Sequence, residues 1–194
     1  MSAVDPAVIT EAAACLRRGG LVIFPTETVY GVGAHADDAK AVARLYQAKA
    51  RPVEKLLTLH VATIVQARQL PVEWPPVALE LARLFWPGPL TLILPRRGEA
   101  GTVGIRVPRH PVAEALLSAA GVPVVASSAN RSGQPAPATA DAAVAALGDF
   151  VDVVVDAGPC AVGAPSTVVD CTVTPPVIRR AGALAREMEQ VWIR

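Results

Sequence analysis

The stretch LVIFPTETVYGVGAHA, Leu21 to Ala36, decides how the chain is read. Four apolar residues, Leu21 to Phe24, stop at Pro25 and predict a short buried strand. The polar segment PTETVYGVGAHA (25–36) predicts a loop. A helix near Asp37 to Gln47 follows it, its acidic start suiting the positive end of the helix dipole. Upstream, Asp5-Pro6 reads as N-cap and first helical position and Gly19-Gly20 as the stop of a first helix. Downstream, strands are predicted at 56–61, 90–94, 103–107, 123–126 and 151–155. Helices are predicted at 63–70, 76–85, 112–119 and after Thr139, and strands cluster again around 167–173 and 177–180. Alternation early and clustered strands late define an α/β class with a mixed sheet covered by helices. No internal repeat or low-complexity linker divides the chain, so one domain over 1–194 is expected. The SGQPAPAT segment (132–139) reads as an ordered loop.

Composition narrows the function classes. With 52% apolar and 18% charged residues, disorder is excluded. No apolar run approaches the roughly 18 residues needed to span a bilayer, and the N-terminal residues lack the basic start of a secretory leader. Cys15, Cys160 and Cys171 are odd in number and lack metal-ligand spacing, which predicts reduced thiols in a cytoplasmic protein. A net charge of +1 argues against a strongly basic nucleic-acid binder. Fifteen arginines stand against three lysines, and two of those, Lys49 and Lys55, share one short segment.

There is no GxxxxGK[ST], GxSxG or HExxH, so phosphate-loop, elbow-serine and zinc-protease chemistry have no support. Gly31 to Ala36 fits a relaxed dinucleotide pattern, but six residues separate it from the preceding strand, and a glycine-shaped turn is the better reading. PTETVYG (25–31) sets two threonines and a carboxylate at a strand end, either as a ligand site or as a turn satisfied by its own backbone. Lys49-Ala50-Arg51 pairs a compact ammonium with a planar fork of donors, suited to phosphate or simply solvated at a helix end. Ser127-Ser128-Ala129-Asn130 offers hydroxyls and an amide for phosphate oxygens or a metal's water shell, with an ordinary turn as the equal alternative. Arg106 lies in an apolar strand and must be paired, by a structural salt bridge or by a substrate carboxylate. His60, closing LLTLH, is by default a satisfied structural residue.

Taken together, these pieces resemble the YrdC family in order and spacing. The series is PTETVYGVG (25–33), KARP (49–52), LH (59–60), WPGPLTLIL (86–94), VGIRVPRHP (103–111), SSAN (127–130), STVVD (166–170) and IRRAG (178–182), spanning residues 7 to 186. The resemblance implies a twisted α/β sheet with a concave, positively lined cavity. It implies synthesis of threonylcarbamoyl-adenylate from L-threonine, bicarbonate and ATP, with release of pyrophosphate. A separate threonylcarbamoyl-transferase complex would then modify the adenosine beside the tRNA anticodon. It implies Thr28, His60, Arg106, Ser166 and the Ala126 backbone around threonine, and Arg51, Lys55, Thr102, Ser128 and Arg180 around ATP. Lys49 and Asn130 complete a KxR and SxN set, with Lys49, Arg51, Ser128 and Asn130 as the catalytic group at the phosphates and their Mg²⁺. The length resembles the short, single-domain form of the family.

The sequence departs from the family's pattern at Lys55-Leu56-Leu57 (usually Asn-Pro-Leu), Ser127 (usually Pro), Ala136 within Pro135-Ala136-Pro137 (usually Ser-Pro-Thr), Pro165 (usually Glu) and Ala181 (usually Pro). Altered nucleotide affinity is expected before lost activity. Two alternatives are a non-catalytic protein with weak RNA binding and a carbamoyl-transferring relative from hydrogenase maturation. Scarce aromatics weigh against base stacking, and the fused acylphosphatase and zinc-finger regions usual in the second are missing from this sequence.

Overall fold

The computed structural model describes residues 4–192. Nine strands are found among them: β1 (Val22–Phe24), β2 (Gly31–His35), β3 (Thr58–His60), β4 (Leu90–Pro95), β5 (Thr102–Arg106), β6 (Val124–Ser128), β7 (Val153–Val154), β8 (Thr167–Asp170) and β9 (Val177–Arg180). They form one mixed sheet in the order β7-β1-β2-β6-β3-β5-β4-β8-β9. The expected α/β class and mixed sheet hold.

The helices are α1 (Pro6–Arg17), α2 (Ala39–Ala48), α3 (Ile64–Gln69), α4 (Pro76–Phe85), α5 (Pro111–Ala120), α6 (Ala140–Leu147) and α7 (Ala185–Trp192). Their starts are chemical: Asp5, Asp38, Thr63, His110 and Thr139 each accept a backbone N–H of the first turn. One sheet face carries Leu92, Leu94, Ile105 and Val169 against α3, α4 and α7. Farther along, Ile23, Val32 and Ala34 meet α2 and α6. On the other face Val22, Phe24, Val124 and Ala126 meet α1 and α5.

Two sequence expectations fail. GVGAH is not loop but β2, paired antiparallel to both β1 and β6. Its glycines serve packing: a Cβ on Gly33 would lie 3.0 Å from the Phe24 ring and 3.1 Å from Val124. Helix α7 was not foreseen. It forms because Leu184 and Met188 bury against the α4 side of the sheet, a tertiary gain invisible in its charged local sequence.

Candidate functional site

Strand pairing places Gly33, Ala126, Thr58, Gly104 and Ile93 side by side on one face of β2, β6, β3, β5 and β4. Two positions along each strand, the same face carries Ser128, His60, Arg106, Thr91 and, on the next strands, Val168 and Arg180. All of these except Gly33 line a cavity of about 230 Å³, together with Thr26, Pro165 and Ser166. A wider groove of about 850 Å³ adjoins it, sharing Arg51, Ser128 and Arg180 and adding Lys49, Lys55 and Asn130.

Arg106 is 5% exposed and pairs with Glu27 through Nη2 at 2.9 Å. The same nitrogen donates to Thr28 Oγ1 at 2.8 Å, while Nε is buried without a partner. Proton order follows from the chain of acceptors. Thr26 donates its one hydroxyl proton to the Val29 carbonyl at 2.7 Å, so Thr28 must donate across the 2.8 Å Thr26–Thr28 contact. Thr28 is fully buried and outside the cavity lining, and its hydroxyl touches the site by accepting from the Arg106 guanidinium. Burial lowers the Arg106 pKa and Glu27 opposes that shift.

His60 lies beside Arg106 on the neighbouring strand. Burial, with the Arg106 charge adding, pulls its pKa down to about 3, so the ring is neutral. Its Nδ1 sits 3.0 Å from the Thr58 carbonyl and must carry the proton, leaving Nε2 as the lone-pair nitrogen. Ser166 is buried, its hydroxyl 3.0 Å from Thr91 Oγ1. Arg180 holds it at both ends, donating Nε to the Ser166 carbonyl and Nη2 to the hydroxyl, each at 3.0 Å. Arg51 donates Nε to the Lys55 carbonyl and Nη2 to the Leu56 carbonyl, both at 2.8 Å. Burial, then Arg106 and Arg51, lowers the Arg180 pKa, so the three guanidinium groups share one field.

Lys49 differs from the free cavity cation expected of it. Its side chain is 1% exposed, and Nζ donates to the carbonyls of Ser128 and Asn130, the latter at 2.6 Å. Its own carbonyl accepts the Ser132 N–H at 2.7 Å. Desolvation, then Arg51, lowers its pKa to about 8. Asn130 donates Nδ2 to the carbonyls of Arg131 and Gln134, and its Oδ1 is buried without a partner.

The structure thus gathers His60, Arg106, Ala126, Ser128, Ser166, Arg51 and Arg180 at the cavity, and Lys49, Lys55 and Asn130 at the groove. Thr102 shares the cavity face of β5 but lies outside both linings. Sequence reasoning missed Glu27 as the partner of Arg106, and Thr26, Thr91 and Gly104 as cavity residues. The carboxylate in PTETVYG was the signal for the first. Among the described residues no three His, Cys, Asp or Glu cluster to hold a metal, and no helix is long and apolar enough to cross a membrane.

The architecture is that of an α/β protein with one face of a mixed sheet hollowed into a cavity lined by polar side chains, Arg51, Arg106 and Arg180 among them. The sequence profile of the Sua5, YciO and YrdC group, described as telomere recombination, matches residues 14–182, and the chain belongs to that family. The threonylcarbamoyl-AMP synthase of Bacillus subtilis is 43% identical over 202 residues, covering 100% of this chain and 58% of its own length. That of Pyrococcus abyssi is 42% identical over 189 residues, covering 93% and 56%. The crystal structure of P. abyssi Sua5 complexed with L-threonine superposes with a TM-score of 0.91 at 40% identity, covering 98% of this chain and 58% of that one. The chain therefore spans a little over half the length of these relatives.

Proposed function

We propose that the chain makes L-threonylcarbamoyladenylate from L-threonine, bicarbonate and ATP, releasing pyrophosphate. The observation that carries this is the junction of two cavities at Arg51, Ser128 and Arg180. The smaller one suits an amino acid and the open groove a nucleoside triphosphate, so the reacting atoms would meet at the shared wall. The threonine bound in the P. abyssi relative supports the first assignment.

In this reading Arg106 receives the threonine carboxylate through its unpartnered Nε edge, while Glu27 and Thr28 fix the guanidinium. The amine captures bicarbonate-derived carbon dioxide, and the new N-carboxylate attacks the α-phosphorus, with pyrophosphate leaving. Positioning and cationic stabilisation do this work, and no protein nucleophile is required. Arg51 and Arg180 take the phosphate side, and Lys49 holds the turn that presents Ser128 and Asn130. Asn130 Oδ1, buried and without a partner, fits a magnesium ion that arrives on the phosphates. Bound there, magnesium would screen the phosphate charge.

A cytoplasmic setting suits the three free thiols. A tRNA-modifying transferase would consume the adenylate. Direct RNA contact is a weaker reading, since no aromatic side chain lines the groove among the described residues. The test is pyrophosphate release with threonine or bicarbonate each left out. Release should require both. Release independent of threonine would overturn the reading, and a response to carbamoyl phosphate would favour the hydrogenase-maturation relative.

A further inference from the structure

Gly104 sits in the middle of β5, between Thr58 of β3 and Ile93 of β4. Glycine in a central strand weakens it and needs a reason. The first usual reason is a left-handed backbone, and the φ of Gly104 lies outside that region. The second is crowding by the protein itself. A Cβ on Gly104 would meet Thr58 Oγ1 at 3.5 Å, Thr91 Cγ2 at 3.6 Å and Thr58 Cα at 3.9 Å, all ordinary contacts. Gly33, in the same row of the sheet, is the contrast: its Cβ would press on Phe24 at 3.0 Å and on Val124 at 3.1 Å. The fold explains Gly33 and leaves Gly104 unexplained.

What Gly104 does have is a place in the cavity lining, on the same strand face as Arg106 and about 6.6 Å from it along β5. Both residues face the one cavity of about 230 Å³, so the body of an amino acid whose carboxylate rests on Arg106 must share that space with Gly104. We infer that Gly104 is a specificity-determining residue: its missing side chain is the floor space on which the amino acid held by Arg106 lies. The inference rests on the amino-acid reading of the cavity given above. A methyl group at this position would be welcome to the protein and unwelcome to the ligand. Those two effects have opposite signs, which makes the idea testable.

Gly104→Ala is the variant. Alanine costs less backbone entropy than glycine where the conformation permits it, so its melting temperature should equal or exceed the parent's. Its KM for threonine in pyrophosphate release should rise at least tenfold, with the KM for ATP within twofold of the parent. A variant that melts lower than the parent would mean that Gly104 serves packing, and the inference falls. An unchanged threonine KM, beside a parent that responds normally to threonine, sinks the inference alone. A parent with no threonine response, in turnover or in thermal protection, overturns both this and the proposed function.

Discussion

A buried ammonium without a carboxylate beside it is costly, and Lys49 meets that cost with two carbonyl oxygens. Its bonds reach across about eighty residues to fix the Ser128–Asn130 turn, so its side chain is structural as well as charged. Lys49→Ala should therefore lose stability, by about 1–3 kcal/mol, since the buried Asn130 carbonyl loses this donor and the part-buried Ser128 carbonyl keeps only the Asn130 N–H. Lys49→Arg should fail as well, because a planar fork does not fit a slot with 1% exposure. Arg51→Ala should instead keep its stability within about 1 kcal/mol while adenylate formation drops more than tenfold. Urea unfolding beside a pyrophosphate assay separates the two residues, and equal stability losses would contradict the assignment. His60 makes a pH prediction. Its folded pKa of about 3 lies below the ordinary 6.5, so the unfolded chain binds the proton first as pH falls. Stability should be unaffected by this group above pH 6.5 and decline between 6.5 and 3, by about 5 kcal/mol in full. His110, also lowered by burial, contributes with the same sign. Melting from pH 7 to pH 4 should fall less steeply for His60→Gln than for the parent, and parallel curves would refute the buried neutral ring.

At the scale of elements, the turn between β9 and α7 governs how two site residues meet. A Cβ on Gly182 would lie 2.4 Å from the Pro165 carbonyl oxygen and 2.5 Å from backbone atoms of Ser166, none of which can step aside. That close approach lets Ala183 donate to Pro165 and lets Gly182 and Leu184 donate to Thr167 Oγ1, latching β9 onto β8. Gly182→Ala should cost about 1–3 kcal/mol of stability and displace Arg180 from Ser166. Its KM values for threonine and ATP should both rise, and normal kinetics in the variant would show that the latch is dispensable. Much of this architecture was legible. Capping residues such as Asp5, Asp38 and Thr139 announce helix starts because they satisfy local donors. Apolar runs such as Leu90 to Leu94 announce strands. What could not be read was set by distant partners. Gly31 and Gly33 resemble turn residues until Phe24 and β6 are placed against them. The same is true of Glu27, whose value as the counter-ion of Arg106 depends on β5 lying within reach of the β1–β2 loop.

Across the whole molecule, Arg106 joins stability to binding, because it is both half of a buried ion pair and part of the cavity wall. The sequence offered those roles as rivals, and the fold assigns the ion pair without removing the guanidinium from the cavity. Removing one partner of a buried pair typically costs about 3–5 kcal/mol, because the other charge is stranded. Arg106→Ala strands Glu27 and should lower the melting temperature by roughly 6–20 °C at about 2–4 °C per kcal/mol for a chain of this size. A structural role alone would end there. If the cavity holds threonine as proposed, ligand protection reports separately. A ligand at one hundred times its Kd stabilises by about 2.7 kcal/mol, so threonine and ATP should each raise the parent's melting temperature by several degrees. NAD should raise it not at all. In Arg106→Ala the ATP shift should persist, since Arg51 and Arg180 are untouched, and the threonine shift should vanish. The decisive comparison is therefore the difference in ligand shift, not the melting temperature itself. Should the destabilised variant still gain full protection from threonine, Arg106 would be a structural residue only, and the carboxylate would have to find its partner in Arg51 or Arg180.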